Sequence, residues 1–196
     1  MEYTEPLTFQ VPLNESRELR SVVITAGGKR SIASRTVMYN RSYSPAVEVG
    51  NVESGLKYKL LKGVFKETKQ LDTAAVVVTG LVTDFSLAKL KRETDEPFGV
   101  IYEGFVKAEE AGTYTFSLTS DDGSMLFIDE ELIVNNDFEH GSIQKSGMIP
   151  LAKGLHKIRL KYFDLGGASV LRLSMRRNNQ TENTRINQLL FHSKGE

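Results

Sequence analysis

A chain of 196 residues, 40% hydrophobic and 26% charged, is long enough for a sizeable domain with a small companion and needs no staple to hold a core. Its 25 basic and 25 acidic residues cancel to a formal net charge of zero, which excludes the basic footprint that nucleic-acid binding requires. With no cysteine, thiol nucleophiles, disulfides and thiolate zinc sites are excluded, and the longest apolar run, residues 74–78 (AAVVV), falls far short of the ~20 residues of a membrane span.

Taken in order, residues 6–12 (PLTFQVP) alternate, with Leu7, Phe9 and Val11 on one face and proline at both ends, the pattern of an edge strand. Residues 18–25 (ELRSVVIT) predict the next strand, Ala26-Gly27-Gly28-Lys29 a hairpin turn, and residues 30–39 its return. A three-stranded unit of this size, residues 1–43, buries only a thin core by itself. Residues 44–54 (SPAVEVGNVES) carry Pro, Gly, Asn and Ser without periodicity and predict a linker. Residues 55–65 (GLKYKLLKGVF) open a second domain, with Leu56, Tyr58 and Leu60 alternating against Lys57 and Lys59. Residues 74–79 predict a short strand, and 86–91 a helical turn or two.

From residue 98 the strand signals are strong. Residues 98–107 (FGVIYEGFVK) are followed by 112–119, where Tyr114, Phe116 and Leu118 alternate with Ser and Thr. Two apolar runs, 125–128 (MLFI) and 132–134 (LIV), flank a turn at Asp129-Glu130-Glu131, and further strands fall at 142–151, 154–164 and 169–176. Many short strands with few helical windows indicate an all-β sandwich or barrel-like domain. Residues 187–191 (NQLLF) predict a last apolar strand, and the tail from His192 a solvated, frayed end.

Ser120-Asp121-Asp122-Gly123 joins two of these strands. Asp and Gly are good turn formers, but two adjacent carboxylates on a kinked loop also suit calcium, which takes six to eight oxygen ligands. The residues leave both readings open. A metal site needs ligands from more than one loop, so Asp164, in Phe163-Asp164-Leu165-Gly166-Gly167-Ala168, is the natural partner, although that stretch also reads as a plain hairpin turn. Asn135-Asn136-Asp137, with His140-Gly141, is a third polar cluster, able to hydrogen-bond sugar hydroxyls or supply a further ligand, or simply to be a polar loop. His156 shares its face with Ile158, Leu160 and Tyr162, as a hydrogen-bonded core histidine does. No G-x-S-x-G, phosphate loop or H-x-x-x-H occurs. Adjacent Asp121 and Asp122 do not suit glycoside hydrolysis, whose two carboxylates stand ~5–9.5 Å apart, and the absence of Trp weakens an aromatic sugar platform. The chain reads as non-catalytic.

Residues 55–192 resemble the PA14 family, β-rich modules of bacterial glycosidases, toxins and yeast adhesins. The resemblance is carried by Gly55-Leu56-Lys57-Tyr58, Phe98-Gly99-Val100-Ile101-Tyr102-Glu103-Gly104-Phe105, Gly112-Thr113-Tyr114-Thr115-Phe116, Ser120-Asp121-Asp122-Gly123-Ser124 and Gly154-Leu155-His156-Lys157-Ile158, in that order, with Tyr162-Phe163 and Gly166-Gly167 after them. It implies a PA14-type β-sandwich or barrel. In sugar-binding members, two consecutive Asp joined by a cis peptide hold calcium, a polar side chain on a later loop completes the cage, and sugar hydroxyls coordinate the ion. Asp121 and Asp122 match the pair, and Asp164 falls where flocculin-like members carry Asn. Glu130-Glu131 stands where related modules have Asp-Gly, so that turn must differ. Residues 1–43 resemble part of the small FN3-associated β domain of chitobiase-like enzymes, through Tyr3-Thr4-Glu5-Pro6-Leu7-Thr8-Phe9 and Gly28-Lys29-Arg30-Ser31.

Together these resemblances imply the C-terminal fragment of an exported, β-hexosaminidase-type glycoside hydrolase from a glycan-degrading bacterium, without its catalytic domain. The expected function is glycan binding through calcium on Asp121, Asp122 and Asp164, with Asn135, Asn136 and Asp137 as a polar rim. The alternative is a structural module that packs against the missing catalytic domain and has no ligand of its own.

Overall fold

The computed structural model describes residues 8–90, 96–182, 184 and 186–194. Every described regular element is a β-strand or a short 3-10 helix, and no described helix is long and apolar enough to cross a membrane. The chain divides after Ser42 into two units.

In the first unit, β1 (Glu15–Ser21) and β2 (Ser34–Asn40) form an antiparallel ribbon running from Glu15↔Asn40 to Ser21↔Ser34. An isolated bridge, Ile24↔Arg30, extends it towards the expected turn. The third strand expected at 6–12 is not formed over residues 8–12, and its first two residues lie outside the described ones. Pro12 has no N–H to donate to a ladder, and the segment is held by a side chain instead: Asn40 Nδ2 donates to the Val11 carbonyl at 2.7 Å.

The second unit begins with β3 (Val52–Ser54), β4 (Leu56–Lys62), β5 (Val76–Val82) and β6 (Phe98–Ala108). It continues with β7 (Gly112–Asp121), β8 (Ser124–Ile128), β9 (Glu131–Asn136) and β10 (Ile143–Leu151). The last strands are β11 (Gly154–Asp164), β12 (Val170–Arg177) and β13 (Leu190–Ser193). The predicted strands are present, with β5 running three residues past its expected end and a 3-10 turn at Leu87–Lys89 where a helical turn was expected.

The small sheet has the order β10-β7-β12. In the large sheet β6 pairs with β11 on one side, and on the other with both β4 and the short β13; β5 continues from β4, β8 and β9 from β11, and β3 from β13. The inner faces pack as a sandwich. Tyr114, Phe116 and Leu118 of β7 meet Tyr102 of β6, Leu160 of β11 and Leu126 of β8 in one buried cluster. This is the alternation read from the sequence, buried against a second sheet.

Residues 44–54 are not a linker. Ser44 bridges Leu151, Val47 bridges Leu155, and 52–54 is a strand on β13. Ser44 N–H also donates to the Pro150 carbonyl at 2.8 Å. Backbone bonding to distant strands orders a segment whose composition alone says loop. The tail is corrected for the same reason: His192 lies within β13 and is only 6% exposed.

The β8–β9 turn places Asp129 and Glu130 at φ 48° and 70°, the left-handed pair of a two-residue hairpin loop. Asp129 also anchors the domain's first residues. Its Oδ2 accepts from Ser44 Oγ at 2.6 Å and from His156 Nδ1 at 2.7 Å, and Oδ1 accepts the Lys157 N–H at 2.9 Å. His156 is fully buried, and its Nε2 faces the Ala152 carbonyl at 2.9 Å, so it is the hydrogen-bonded core histidine that its face predicts. Burial alone would lower its pKa. The Asp129 carboxylate and the Ala152 carbonyl outweigh burial and raise it.

Candidate functional site

At Asp121-Asp122-Gly123 the chain leaves β7 of the small sheet and enters β8 of the large one. Only glycine fits the third position: a Cβ there would lie 2.4 Å from the Phe163 ring and 2.8 Å from the Phe138 carbonyl. The crossing is clamped from below by buried hydroxyls. Ser120 Oγ and Ser124 Oγ are 2.6 Å apart, and Asn136 Nδ2 donates to Ser120 Oγ at 2.9 Å. The Asp121–Asp122 peptide is cis.

Two loops meet this turn. From one side, residues 165–169 between β11 and β12 bring backbone donors: the Leu165 N–H reaches Asp122 Oδ2 at 2.8 Å, and the Gly166 N–H reaches Asp164 Oδ1 at 2.6 Å. From the other, residues 137–141 bring the His140 N–H to Asp122 Oδ1 at 3.3 Å. That second loop is tied down by the His140 ring, with Nε2 2.9 Å from the Asn136 carbonyl and Nδ1 2.7 Å from the Gly141 carbonyl.

Tyr162 stands at the centre. Its hydroxyl donates to Asp164 Oδ2 at 2.9 Å and contacts the Asp121 carbonyl. Burial pushes the Tyr162 pKa up, and the Asp164, Asp122 and Asp121 charges push it further. Asp164 is 2% exposed and Asp122 7%. Among the described residues no lysine or arginine pairs with any of them, whereas Glu103, Glu130 and Asp72 elsewhere in the domain each find a base. Buried carboxylates held only by hydrogen bonds leave a local excess of negative charge. Among the described residues, no three His, Asp or Glu side chains gather tightly enough to hold a metal ion unaided. The donor set is nonetheless of hard oxygens, and calcium draws on backbone carbonyls and outside hydroxyls as well as carboxylates. In donor type, though not in grouping, the three acids are the oxygens that ion takes.

The expected rim divides. Asn135 is exposed. Asn136 is fully buried: one end of its amide is spent on Ser120 and the Ile143 carbonyl, and Oδ1 lacks a partner among the described residues. Asp137 is a cap, accepting from the Thr68 N–H at 2.9 Å, Thr68 Oγ1 at 3.1 Å and the Phe138 N–H at 2.9 Å. Neither offers a group to a ligand from outside, because Asn136 is closed off from solvent and the Asp137 carboxylate is spent on Thr68 and Phe138. Sequence reasoning passed over Phe138, which is 62% exposed with φ 73° beside Gly123. Its signal is an aromatic residue inside an otherwise polar turn, in a backbone region bulky residues rarely adopt.

The sequence model of the PA14 domain family matches residues 53–188. The chain belongs to the PA14 family. No curated protein matches it at a significant level. Among solved structures, the PA14 domain resembles the PA14 domain of the antifreeze protein MpAFP, at 15% identity and TM-score 0.63, over 75% of this chain and 95% of that one. It also resembles the PA14 sugar-binding domain of an RTX adhesin, at 19% identity and TM-score 0.59, over 71% and 99% of the two chains. A third similar structure is the epithelial adhesin 9 A domain from Candida glabrata in complex with Galβ1-3GlcNAc, at 13% identity and TM-score 0.59, over 78% and 97%. At these identities the shared property is the fold. The PA14 sandwich is thus common to the three, and what this member binds rests on its own residues.

Proposed function

We propose that the PA14 domain binds glycan at the Asp121–Asp122 end of its sandwich, as a non-catalytic accessory region of an exported glycoside hydrolase of β-hexosaminidase type. The observation that carries the reading is a pair of buried acids, Asp122 and Asp164, beside half-buried Asp121 at one end of the sandwich, with no paired base among the described residues. A cation is the missing partner of such a cluster. Asp121, Asp122 and Asp164 would hold calcium, and the ion would present open coordination positions to vicinal sugar hydroxyls. Exposed Phe138 offers an apolar face to a sugar ring beside it, and Asn135 a polar edge. Two of the similar structures are described as sugar-binding or glycan-bound, which supports the same reading. The hydrolase parent rests on the resemblance of residues 1–43.

The rival reading is a turn without a ligand, in a module that packs against a catalytic domain. It is favoured by the bonds that already engage both oxygens of Asp122 and of Asp164. Calorimetric titration of chelator-stripped protein with calcium separates the two. The proposal expects saturable heat and a melting point raised by roughly 5–11 °C at 100 times the dissociation constant, from ~2.7 kcal/mol of linkage. A glycan array should then lose its signals in chelator and in Asp122→Asn. Absence of calcium heat, together with no chelator-sensitive glycan, leaves the rival.

A further inference from the structure

The free edges of the two sheets differ. An exposed edge strand offers unpaired N–H and C=O groups to any extended chain, and proteins blunt it with charge, proline, shortness or cover. β3 is three residues long and carries Glu53. β9 is covered by β10, so closely that a Cβ on Gly147 would lie 1.9 Å from the Ile133 carbonyl. β10 itself carries Lys145 and Pro150, and β12 carries Arg172, Arg176 and Arg177. β5 has no such charge or proline. It pairs with β4 alone, and residues 73–83 (TAAVVVTGLVT) contain neither a charged residue nor a proline. Val76, Val77 and Leu81 are exposed, and the β-branched run Val76-Val77-Val78-Thr79 favours an extended backbone. A bulge at Val77, where Val76 faces Leu61 and Val78 faces Leu60, disturbs only the start of the strand, and residues 78–82 keep regular register with β4 as far as Leu56.

On the inner face of that regular stretch Val78 and Val82 join the core, and the Tyr58 ring lies 2.7 Å from where a Gly80 Cβ would stand. On the outer face Thr79 lies opposite Lys59, and Leu81 opposite Lys57. The edge calls for an uncharged extended strand, and a second β5 is one. Antiparallel pairing about a two-fold axis near Thr79 and Gly80 sets Thr and Leu beside Thr and Leu on one face. On the other it sets Val and Gly beside Val and Gly, and no charge faces its own copy. Lys57 and Lys59 of the two copies then stand three strand spacings apart, about 14 Å, beyond the ~8 Å over which exposed charges act at physiological salt. Each copy spends its β5 edge on the other, so the assembly closes at two.

We propose that β5 is a dimerisation edge: β5 of a second copy of this chain adds to it antiparallel about a two-fold axis, and the two large sheets run on as one. Backbone hydrogen bonds supply the attraction, and the uncharged, self-matching side-chain rows select another β5 as the partner. The contact shares no residue with the Asp121–Asp122 turn, so it stands whether or not that turn holds an ion.

The test is sedimentation velocity of the full chain from ~1 μM to ~1 mM, because a single strand pair buries less than ~1,200 Å² and belongs with weak contacts. A monomer–dimer equilibrium should appear within that range. Amide hydrogen exchange at residues 78–82 should slow as concentration rises, while exchange along β12 stays constant. The double variant Thr79→Glu, Leu81→Glu sets its new carboxylates opposite Lys59 and Lys57 of its own chain, which keeps the fold, but opposes them to each other across the two-fold axis. It should weaken the dimer about tenfold or more, as should Thr79→Lys, Leu81→Lys. An equimolar mixture of the two double variants should pair again, since opposite charges then meet. Melting curves verify that each variant is folded. The proposal is overturned if the chain is monomeric throughout, if dimers survive both double variants, or if the mixture of the two stays monomeric.

Discussion

Replacing Asp129 by Asn tests the buried pair that ties the first residues of the PA14 domain to its sheet. Asn keeps the shape and tolerates the left-handed φ of 48°, and its Oδ1 still accepts the Lys157 N–H. The change removes the charge, and with Oδ2 the acceptor that faces both His156 and Ser44. In the wild type both ring nitrogens of His156 face oxygen acceptors, the Asp129 carboxylate and the Ala152 carbonyl, so only the imidazolium donates to both. Its folded pKa is raised above the unfolded value of ~6.5. The resulting stability is complete below that unfolded value and is lost as pH rises through the folded one. The Asp129 pKa is depressed: burial opposes this, but the bonds from His156 and Ser44 prevail. Its contribution is present above the unfolded carboxylate value of ~3.9 and is lost as pH falls through the folded one. Near pH 5.5 both contributions are in force, and losing a hydrogen bond to a charged group costs ~1.5–3 kcal/mol. For a domain of this size that lowers the melting point by roughly 3–12 °C. As pH rises towards 9 and through the raised His156 value, the ring loses its proton, and the Asn amide can donate to its bare Nδ1 while Nε2–H donates to Ala152, so the gap between variant and wild type narrows. Differential scanning calorimetry at the two pH values reads this directly. A gap equal at both, or larger at pH 9, refutes the reasoning.

Two substitutions test how the sheets are joined. A Cβ on Gly147 of β10 would lie 1.9 Å from the Ile133 carbonyl of β9, so Gly147→Ala should cost about 1–3 kcal/mol through backbone displacement, seen as a lower urea midpoint with an unchanged slope. Asp137→Ala strands the N–H and hydroxyl of fully buried Thr68 and should cost about 2–4 kcal/mol. Because Asp137 is a cap and not part of the rim, glycan binding measured well below the variant's melting point should equal that of the wild type.

Much of the candidate site was legible because its chemistry is local. Asp121-Asp122-Gly123 is a turn written in adjacent residues, and the Asp164 loop has its own glycines at φ 107° and 90°. Asn136 and Asp137 were misread for the opposite reason. A polar side chain looks the same in sequence whether it faces solvent or a buried donor, and Asp137 finds its donor on Thr68, 69 residues away. His192 was misread likewise: it follows the last apolar run, and only pairing with β3 shows that the strand continues through it.

By itself the sequence determined the all-β class, the positions of most strands, and the family. Period-2 alternation and turn residues act over a few neighbours, and they report which face of a strand is apolar. Only the tertiary structure decided which strands share a sheet, how β4 and β13 divide one edge of β6, and that residues 44–54 are built in and not linking. It also decided that the Tyr162 hydroxyl reaches Asp164 and the Asp121 carbonyl, and that the Leu165 and His140 N–H groups from two further loops hold Asp122. Those outcomes depend on backbone hydrogen bonds and packing between residues far apart in the chain, which no local pattern encodes.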